Sequence, residues 1–325
     1  MSLDLTKLQR RLCNILQQGL PVCERPFEQI AKACESNEET ILEETRKLIE
    51  AGVVRRIGAV INHRTLGMTS TLVAAHIEQK NLEETVNTIN HMESVSHNYL
   101  RKHHYNLWFT LQASSDEEIK VLLANLSRRF EANFYSLPVE RIFKLDVHFD
   151  TEQSEQPLLH DVGPAPKNEP VKLNKNQLKI LSKLQNGLDV TANPFESLCA
   201  DDLKLEDTLS ITQLLIDKGV VRRIAAIVDH RKLGFSANVL FACKVPGKRI
   251  IQAGRNLARF RIVSHCFERA TFEGWPYNLF AMMHSRSMGD IQHLIDKFVE
   301  AEKIDAFELL PTLTEFKKEP VRHNF

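Results

Sequence analysis

Gly52-Val53-Val54-Arg55-Arg56-Ile57-Gly58-Ala59-Val60-Ile61-Asn62-His63-Arg64-Thr65-Leu66-Gly67 returns 167 residues later as Gly219-Val220-Val221-Arg222-Arg223-Ile224-Ala225-Ala226-Ile227-Val228-Asp229-His230-Arg231-Lys232-Leu233-Gly234. Working outward, nearly the same spacing relates Pro26-Phe27-Glu28 to Pro194-Phe195-Glu196, Val95-Ser96-His97 to Val263-Ser264-His265, and Tyr105-Asn106-Leu107 to Tyr277-Asn278-Leu279. A self-similarity held at one period identifies one structural unit written twice. Between the copies, residues 151 to 172 hold Pro157, Gly163, Pro164, Pro166 and Pro170 with few large apolar side chains, which is linker chemistry.

Within a copy the hydrophobic period changes. Leu5, Leu8, Leu12, Ile15 and Leu16 recur at helical spacing, a second helix is expected near Phe27 to Cys34, and a third opens at Ser36-Asn37-Glu38-Glu39, a capping-box pattern, and runs to Ala51-Gly52. Thereafter Val53 to Ile61 and Thr69 to Ile77 read as strands, Leu82 to His91 as a helix, Val95 to Arg101 and Tyr105 to Ala113 as a strand pair, Asp116 to Phe130 as a helix and Phe134 to Phe149 as a strand. The expected fold class is α+β, a tandem repeat of a winged-type helix-turn-helix domain and a ferredoxin-like βαββαβ sandwich. The domains are expected at 1–52, 53–150, 173–219 and 220–325, with the linker at 151–172. Fusion raises the effective concentration of the copies for each other, so the sandwiches should meet as an internal pseudo-dimer. Further homodimerisation is left open.

Composition narrows the function classes. Lysine and arginine total 42, as do aspartate and glutamate, so the chain as a whole offers no field to attract nucleic acid or an anionic membrane. No apolar run reaches membrane-spanning length and the amino terminus is not a signal peptide, which makes a cytoplasmic location the expectation. The six cysteines never form a Cys-x-x-Cys pair, so reduced structural thiols are expected and no metal site. The third helix of each trihelical unit would have to enter a phosphate-lined groove to read DNA. It carries Glu38, Glu39, Glu43, Glu44 and Glu50 against Arg46 and Lys47 in copy one, and Asp201, Asp202, Glu206, Asp207 and Asp217 against Lys204 and Lys218 in copy two. That balance repels DNA twice over.

Polar chemistry collects in two places. Arg55-Arg56 and Arg222-Arg223 lie in a strand pattern whose alternation must turn one of each pair inward or across an interface. An isolated strand pair of this kind reads as a solvated edge. Its recurrence with His63-Arg64 and His230-Arg231 favours a surface that binds carboxylates. The second place is a hairpin. Copy one reads Val95-Ser96-His97-Asn98-Tyr99-Leu100-Arg101-Lys102-His103-His104-Tyr105-Asn106, and copy two runs from Val263-Ser264-His265 through Arg269 to Trp275-Pro276-Tyr277-Asn278-Leu279-Phe280 and Met283-His284. A lone histidine on a strand is as often structural as functional. Histidine, arginine, tyrosine and asparagine on one hairpin in both copies point to a site.

A helix-turn-helix followed by a linking strand and such a sandwich resembles the Lrp/AsnC regulators in each half, a likeness of architecture that fixes no function. The strings Arg-Arg-Ile-(Gly/Ala)-Ala and Val-Ser-His, and above all Trp275-Pro276-Tyr277-Asn278, resemble the siroheme decarboxylases, with both related subunits fused in one chain. Copy one departs from the pattern: it lacks Trp-Pro, its hairpin is four residues shorter, and Gln112 stands where copy two has His284. The two halves are therefore expected to be inequivalent.

The resemblance implies a carboxy-lyase that converts the two acetate side chains of siroheme to methyl groups, giving didecarboxysiroheme in haem d1 or alternative haem biosynthesis. No cofactor is implied, because the macrocycle takes up the electron pair and the substrate brings its own iron. It implies His97, His103, His104, Tyr105, His265 and Tyr277 as acids, and Arg55, Arg56, Arg101, Arg222, Arg223, Arg269, Trp275, Asn278 and His284 as substrate-binding residues. A histidine could instead ligate the siroheme iron. The alternatives are a tandem Lrp/AsnC-type transcription regulator that senses a small molecule or haem, and a non-catalytic haem carrier. Siroheme is the expected partner, with no DNA and no membrane.

Overall fold

The structure, a computed structural model, describes residues 3–151, 169–199 and 203–322; the proline-rich middle of the linker and the start of the second acidic helix at Asp201-Asp202 lie outside them. The chain opens with three helices, α1 (Lys7–Gln18), α2 (Pro26–Ala33) and α3 (Glu38–Glu50). Thr6 and Gln9 cap α1 reciprocally, and Asn37 caps α3 by accepting from the Thr40 amide. Gly52 then takes φ 67°, a turn that glycine enters without strain, and Gly219 does the same at φ 73° in copy two. Strand β1 (Val54–Ile61) follows, then β2 (Thr69–Ala75), α4 (Gln79–His91), β3 (Val95–Arg101), β4 (Leu107–Ala113), α5 (Asp116–Phe130) and the long β5 (Phe134–Leu145). Copy two repeats the order as α6 (Lys175–Asn186), α7 (Leu205–Asp217), β6 (Val221–Val228), β7 (Ala237–Cys243), α8 (Ile250–Ala258), β8 (Val263–Arg269), β9 (Leu279–Ser285), α9 (Met288–Glu302) and β10 (Phe307–Lys318). Its middle helix is reduced to a 3-10 turn at Pro194–Leu198.

The repeat units exchange parts at both levels. Strands β1 and β6, expected at the head of their own sandwiches, leave them and pair antiparallel with each other. Helix α1 packs on β6 and α6 on β1, so Leu12, Leu16, Ile41 and Leu48 share one buried core with Ile180, Leu184, Leu215, Ile57 and Ile224. The helical units and the ribbon are thus held by burial common to both copies, the dominant favourable term in folding.

The remaining eight strands close into a barrel in the order β10-β3-β4-β2-β5-β8-β9-β7. The two four-stranded sheets do more than pack together, because β5 and β10 each belong to both. Residues of β5 up to Pro138 pair with β2, and from Val139 onward with β8. Residues of β10 up to Pro311 pair with β7, and from Thr312 onward with β3. A proline sits at each handover, where the missing N–H removes a ladder donor at the point where the partner changes. Helices α4 and α5 cover the outside of one sheet and α8 and α9 the other, over separate apolar cores. Among the described residues no helix is long and apolar enough to cross a membrane.

Candidate functional site

Alternation along each strand sends every second side chain into the barrel, and the interior divides along its length. At the end formed by the β3–β4 and β8–β9 turns, Tyr105, Trp108, Tyr135, Phe272, Trp275, Tyr277 and Phe280 pack ring on ring. Tyr135 and Phe272 stack at 4.1 Å, Trp275 meets Tyr277 edge-on at 4.7 Å, and Trp108 lies 5.3 Å from Trp275. The middle is aliphatic, with Leu72, Ala74, Leu137, Leu240, Met282 and Leu310.

Several residues expected at the site lie in this plug. Trp275 is 1% exposed and its Nε1 has no hydrogen-bond partner, so it serves as core. The Asn278 amide donates to the Val245 carbonyl and accepts the Val245 amide, both at 2.9 Å, and Asn106 treats Ile77 the same way in copy one. These asparagines mimic a strand neighbour and spend their polar groups on backbone. His103 accepts the Tyr105 amide and lies against Trp275, while His104 stacks on His76 at 4.3 Å. Tyr277 donates to Glu308. None of these reaches the second histidine cluster.

That cluster stands at the opposite end, beside the β1–β6 ribbon. On β3, His97, Tyr99 and Arg101 share the inward face, and on β8 His265, Phe267 and Arg269 share it; four residues separate His97 from Arg101, about 13 Å along a strand. Arg101 donates from Nη1 to the Leu310 carbonyl at 2.7 Å and Arg269 to the Leu137 carbonyl at 2.7 Å, each gripping the residue just before the handover proline of the other copy. The Nε of each is buried with no partner. His284 on β9 and His230, in the turn just after β6, complete the group, with their rings 5.1 Å apart. Sequence reasoning placed His230 only in a recurring string, and it missed Lys318, whose ammonium lies 3.1 Å from His230 Nδ1. Plain alternation along β10 gave no signal for Lys318: it lies across from His97, and Glu315 across from Tyr99, on one inward face only because the register shifts between Glu315 and Lys317.

Electrostatics follow from burial among like charges. Burial, then Lys318 and Arg55, pull His97 down to about 4; burial, then His97, Arg222 and Arg269, pull His265 down to about 3 against a small opposing pull from Asp146. His230 falls to about 3 for the same reasons, chiefly burial and Lys318. His284 is lowered by burial and by its neighbours His230, Lys318, His265 and Arg101. All four are neutral at pH 7. Burial also brings Arg101 and Arg222 down to about 10 and Arg269 to about 9, with Arg64 adding to the repulsion on the last two.

The arginine pairs split as strand alternation demands. Arg56 turns out and caps the end of α6 through the Gln185 carbonyl at 3.0 Å, a cation at a helix carboxyl terminus. Arg223 pairs with Asp146 at 3.0 Å and donates to the Val147 carbonyl. Arg55 and Arg222 instead flank the histidine end, Arg55 on Asp229 at 2.9 Å and Arg222 on Asn62 at 3.2 Å. A cavity of about 680 Å³ opens beside this end, reaching Ser264 and His284. The Phe149 ring closes its inner wall, stacked on His230 at 5.5 Å and edge-on to His284 at 5.2 Å. Among the described residues no group of three or more His, Cys, Asp or Glu is arranged to hold a metal ion. The end is therefore cationic and rich in neutral imidazoles, with the aliphatic barrel middle behind it.

Residues 65–144 and 232–317 match the model of the AsnC-like ligand binding domain, and residues 9–55 match the siroheme decarboxylase NirDL-like HTH domain. The siroheme decarboxylase of Hydrogenobacter thermophilus is 33% identical over 324 residues, covering 96% of this chain and 94% of the relative. The siroheme decarboxylase beta subunit of Methanosarcina barkeri is 35% identical over 152 residues, 46% of this chain and 99% of its own length, as expected where one chain joins two subunits. Among solved structures, the crystal structure of the siroheme decarboxylase NirDL superposes with a TM-score of 0.71 at 30% identity, over 98% of this chain and 94% of that one. A second NirDL structure, in complex with an iron-uroporphyrin III analogue, has the same TM-score at 29% identity.

Proposed function

The chain belongs to the siroheme decarboxylase family, and from that premise we propose that it removes both acetate carboxylates of siroheme at the histidine end of the barrel, giving didecarboxysiroheme for haem d1 or alternative haem biosynthesis. The observation that carries this is the company kept there: Arg222 and Arg269 act on His265 and Arg64 acts on both of them, with aliphatic walls from Leu72, Leu240 and Met282 behind. Arginines bind carboxylates in a fixed fork, and a flat apolar ring needs apolar walls. The polar ends of the substrate and its macrocycle thus each find their own surroundings.

The chemistry is a heterolysis followed by a protonation. The bond between the acetate methylene and its carboxylate breaks, carbon dioxide leaves, and the electron pair stays on the methylene carbon, delocalised into the macrocycle. A proton then converts the methylene to a methyl group, so each acetate consumes one proton and no oxidant. The substrate's own ring is the electron sink, so no separate cofactor is called for. His265 is the proton donor in this reading, with His97 within electrostatic reach of it. Burial does most to hold His265 neutral in the free protein, and the arginines that add to it are, in this reading, the groups that meet the substrate's carboxylates. Binding neutralises them, raises the imidazole's affinity for a proton and charges the acid at the moment it is needed.

The helical units, in this reading, are packing elements and not DNA readers. Their apolar faces are spent on a core shared with the ribbon, and copy two has lost its middle helix. Anaerobic incubation of the purified protein with siroheme, followed by mass spectrometry, tests the function. The expected product has lost two carboxylates; siroheme recovered unchanged, or salt-sensitive binding to DNA in its place, contradicts the reading.

A further inference from the structure

The pseudo-twofold axis of the barrel makes two sides at the histidine end, and they differ in charge. On one side Arg55 pairs with Asp229 at 2.9 Å and lies 3.9 Å from Glu315, which also faces Lys318 at 3.9 Å. Arg101, Arg231 and Tyr99 adjoin this group. Two carboxylates therefore offset the cations there, and Phe149 lies on His230. The other side has the same framework without the acids. Arg222, the counterpart of Arg55, meets Asn62, the counterpart of Asp229. Leu145 occupies the place across from His265 that Lys318 takes across from His97. The Arg64 guanidinium pairs with no acid and no hydrogen-bond acceptor among the described residues, and the buried Nε atoms of Arg222 and Arg269 have no partner either. Asp146, the carboxylate that acts on His265, is held by Arg223.

Three guanidiniums facing one another with no counter-charge are costly unless an anion joins them. We propose that the polycarboxylate is taken on the Arg222 side alone, one per chain, and that the position occupied by Asn62 in copy one and Asp229 in copy two decides which side. Asn62 keeps its hydrogen bond to Arg222 while leaving the guanidinium's charge to the ligand. Asp229 spends the charge of Arg55 internally and would set a carboxylate against those of the substrate. This rests on the reading of the ligand as a carboxylate-bearing tetrapyrrole.

The test is an anaerobic absorbance titration with siroheme of the wild type, Asn62→Asp and Asp229→Asn, with the products identified in the same samples. The wild type should saturate at one equivalent per chain. Asn62→Asp, which copies the acid of the other side onto Arg222, should weaken binding about tenfold or more, the scale of one charge-assisted contact. Asp229→Asn should leave the affinity for the first equivalent within about twofold, since it touches only the other side. Two equivalents bound by the wild type, equal weakening by both variants, or full affinity in a folded Asn62→Asp protein overturns the assignment. Should Asn62→Asp fail to fold, Arg222→Gln takes its place, and undiminished affinity there overturns it as well. A wild type that converts siroheme but titrates against this pattern refutes the sidedness alone; one that binds no siroheme refutes the function.

Discussion

At one end of the barrel Tyr105, Phe272, Trp275 and Tyr277 close ring on ring, and at the other His97, His265 and His284 stand among arginines and Lys318. The same strands build both ends. Strand β8 carries His265 at its start and Arg269 at its end, four residues on, and the β8–β9 turn then supplies Phe272 and Trp275. What differs is what the side chains ask of their neighbours. The aromatic end is closed by the protein's own rings and carries no crowded charge, although the buried Trp275 Nε1 has no partner there. The histidine end leaves buried donors unpaired and cations crowded. A region complete without a ligand stabilises the fold, and a region completed by one is where a ligand belongs.

Changes at the two ends should separate turnover from stability, and the largest effect is expected at the histidine end. Replacing His265 by Ala should lower single-turnover decarboxylation by about two to four orders of magnitude while siroheme still binds, the range for loss of a general acid. Stopped anaerobic reactions read by mass spectrometry give the rate, and a loss under threefold would move the donor elsewhere.

Acid should act on the same end. His97, His230, His265 and His284 are held below their ordinary values by burial and by Arg55, Arg222, Arg269, Arg101 and Lys318, partly opposed by Asp146 and Asp229. The unfolded chain therefore binds more protons than the folded one between about pH 6.5 and the folded values, and stability rises with pH across that window. Thermal melts should show Tm falling as pH drops below about 6.5, and siroheme should blunt the fall if its carboxylates raise these histidines. A Tm flat from pH 7 to 5 contradicts the buried neutral state.

At the aromatic end, Asn278→Ala removes two backbone hydrogen bonds to Val245. It should cost about 1–3 kcal/mol in denaturant unfolding, with turnover per folded molecule within about threefold of wild type. A large kcat loss without destabilisation would bring the plug into the site. The smallest effect is expected for Arg56→Ala, which removes a cation from the end of α6 outside the barrel: about 0.3–1 kcal/mol and no change in turnover.

The repeat, the element order and the inequivalence of the copies were legible in the sequence because they rest on local period and identity. The exchange of β5 and β10 between sheets was not, since a change of partner at Pro138 or Pro311 depends on a distant strand, and the register shifts after each proline are equally invisible in local period. Recurrence in both copies singled out His97, His265, Arg101, Arg222 and Arg269, which the fold groups around His265 and His284. Trp275 and Asn278, the most distinctive string, are spent in the structure on ring packing and on backbone hydrogen bonds to Val245, which a string alone could not tell. Glu315 and Lys318 escaped notice because only the barrel's closure carries the end of β10 across to His97.

In the proposed reaction carbon dioxide is lost at the histidine end. Wild type and the double variant His97→Ala/His265→Ala, each loaded anaerobically with siroheme and followed for both retained absorbance and product mass, test it most directly. The wild type should lose both acetate carboxylates in a single turnover while the variant holds siroheme unchanged. Didecarboxylated product from the variant at the wild-type rate would place the chemistry somewhere else in the molecule.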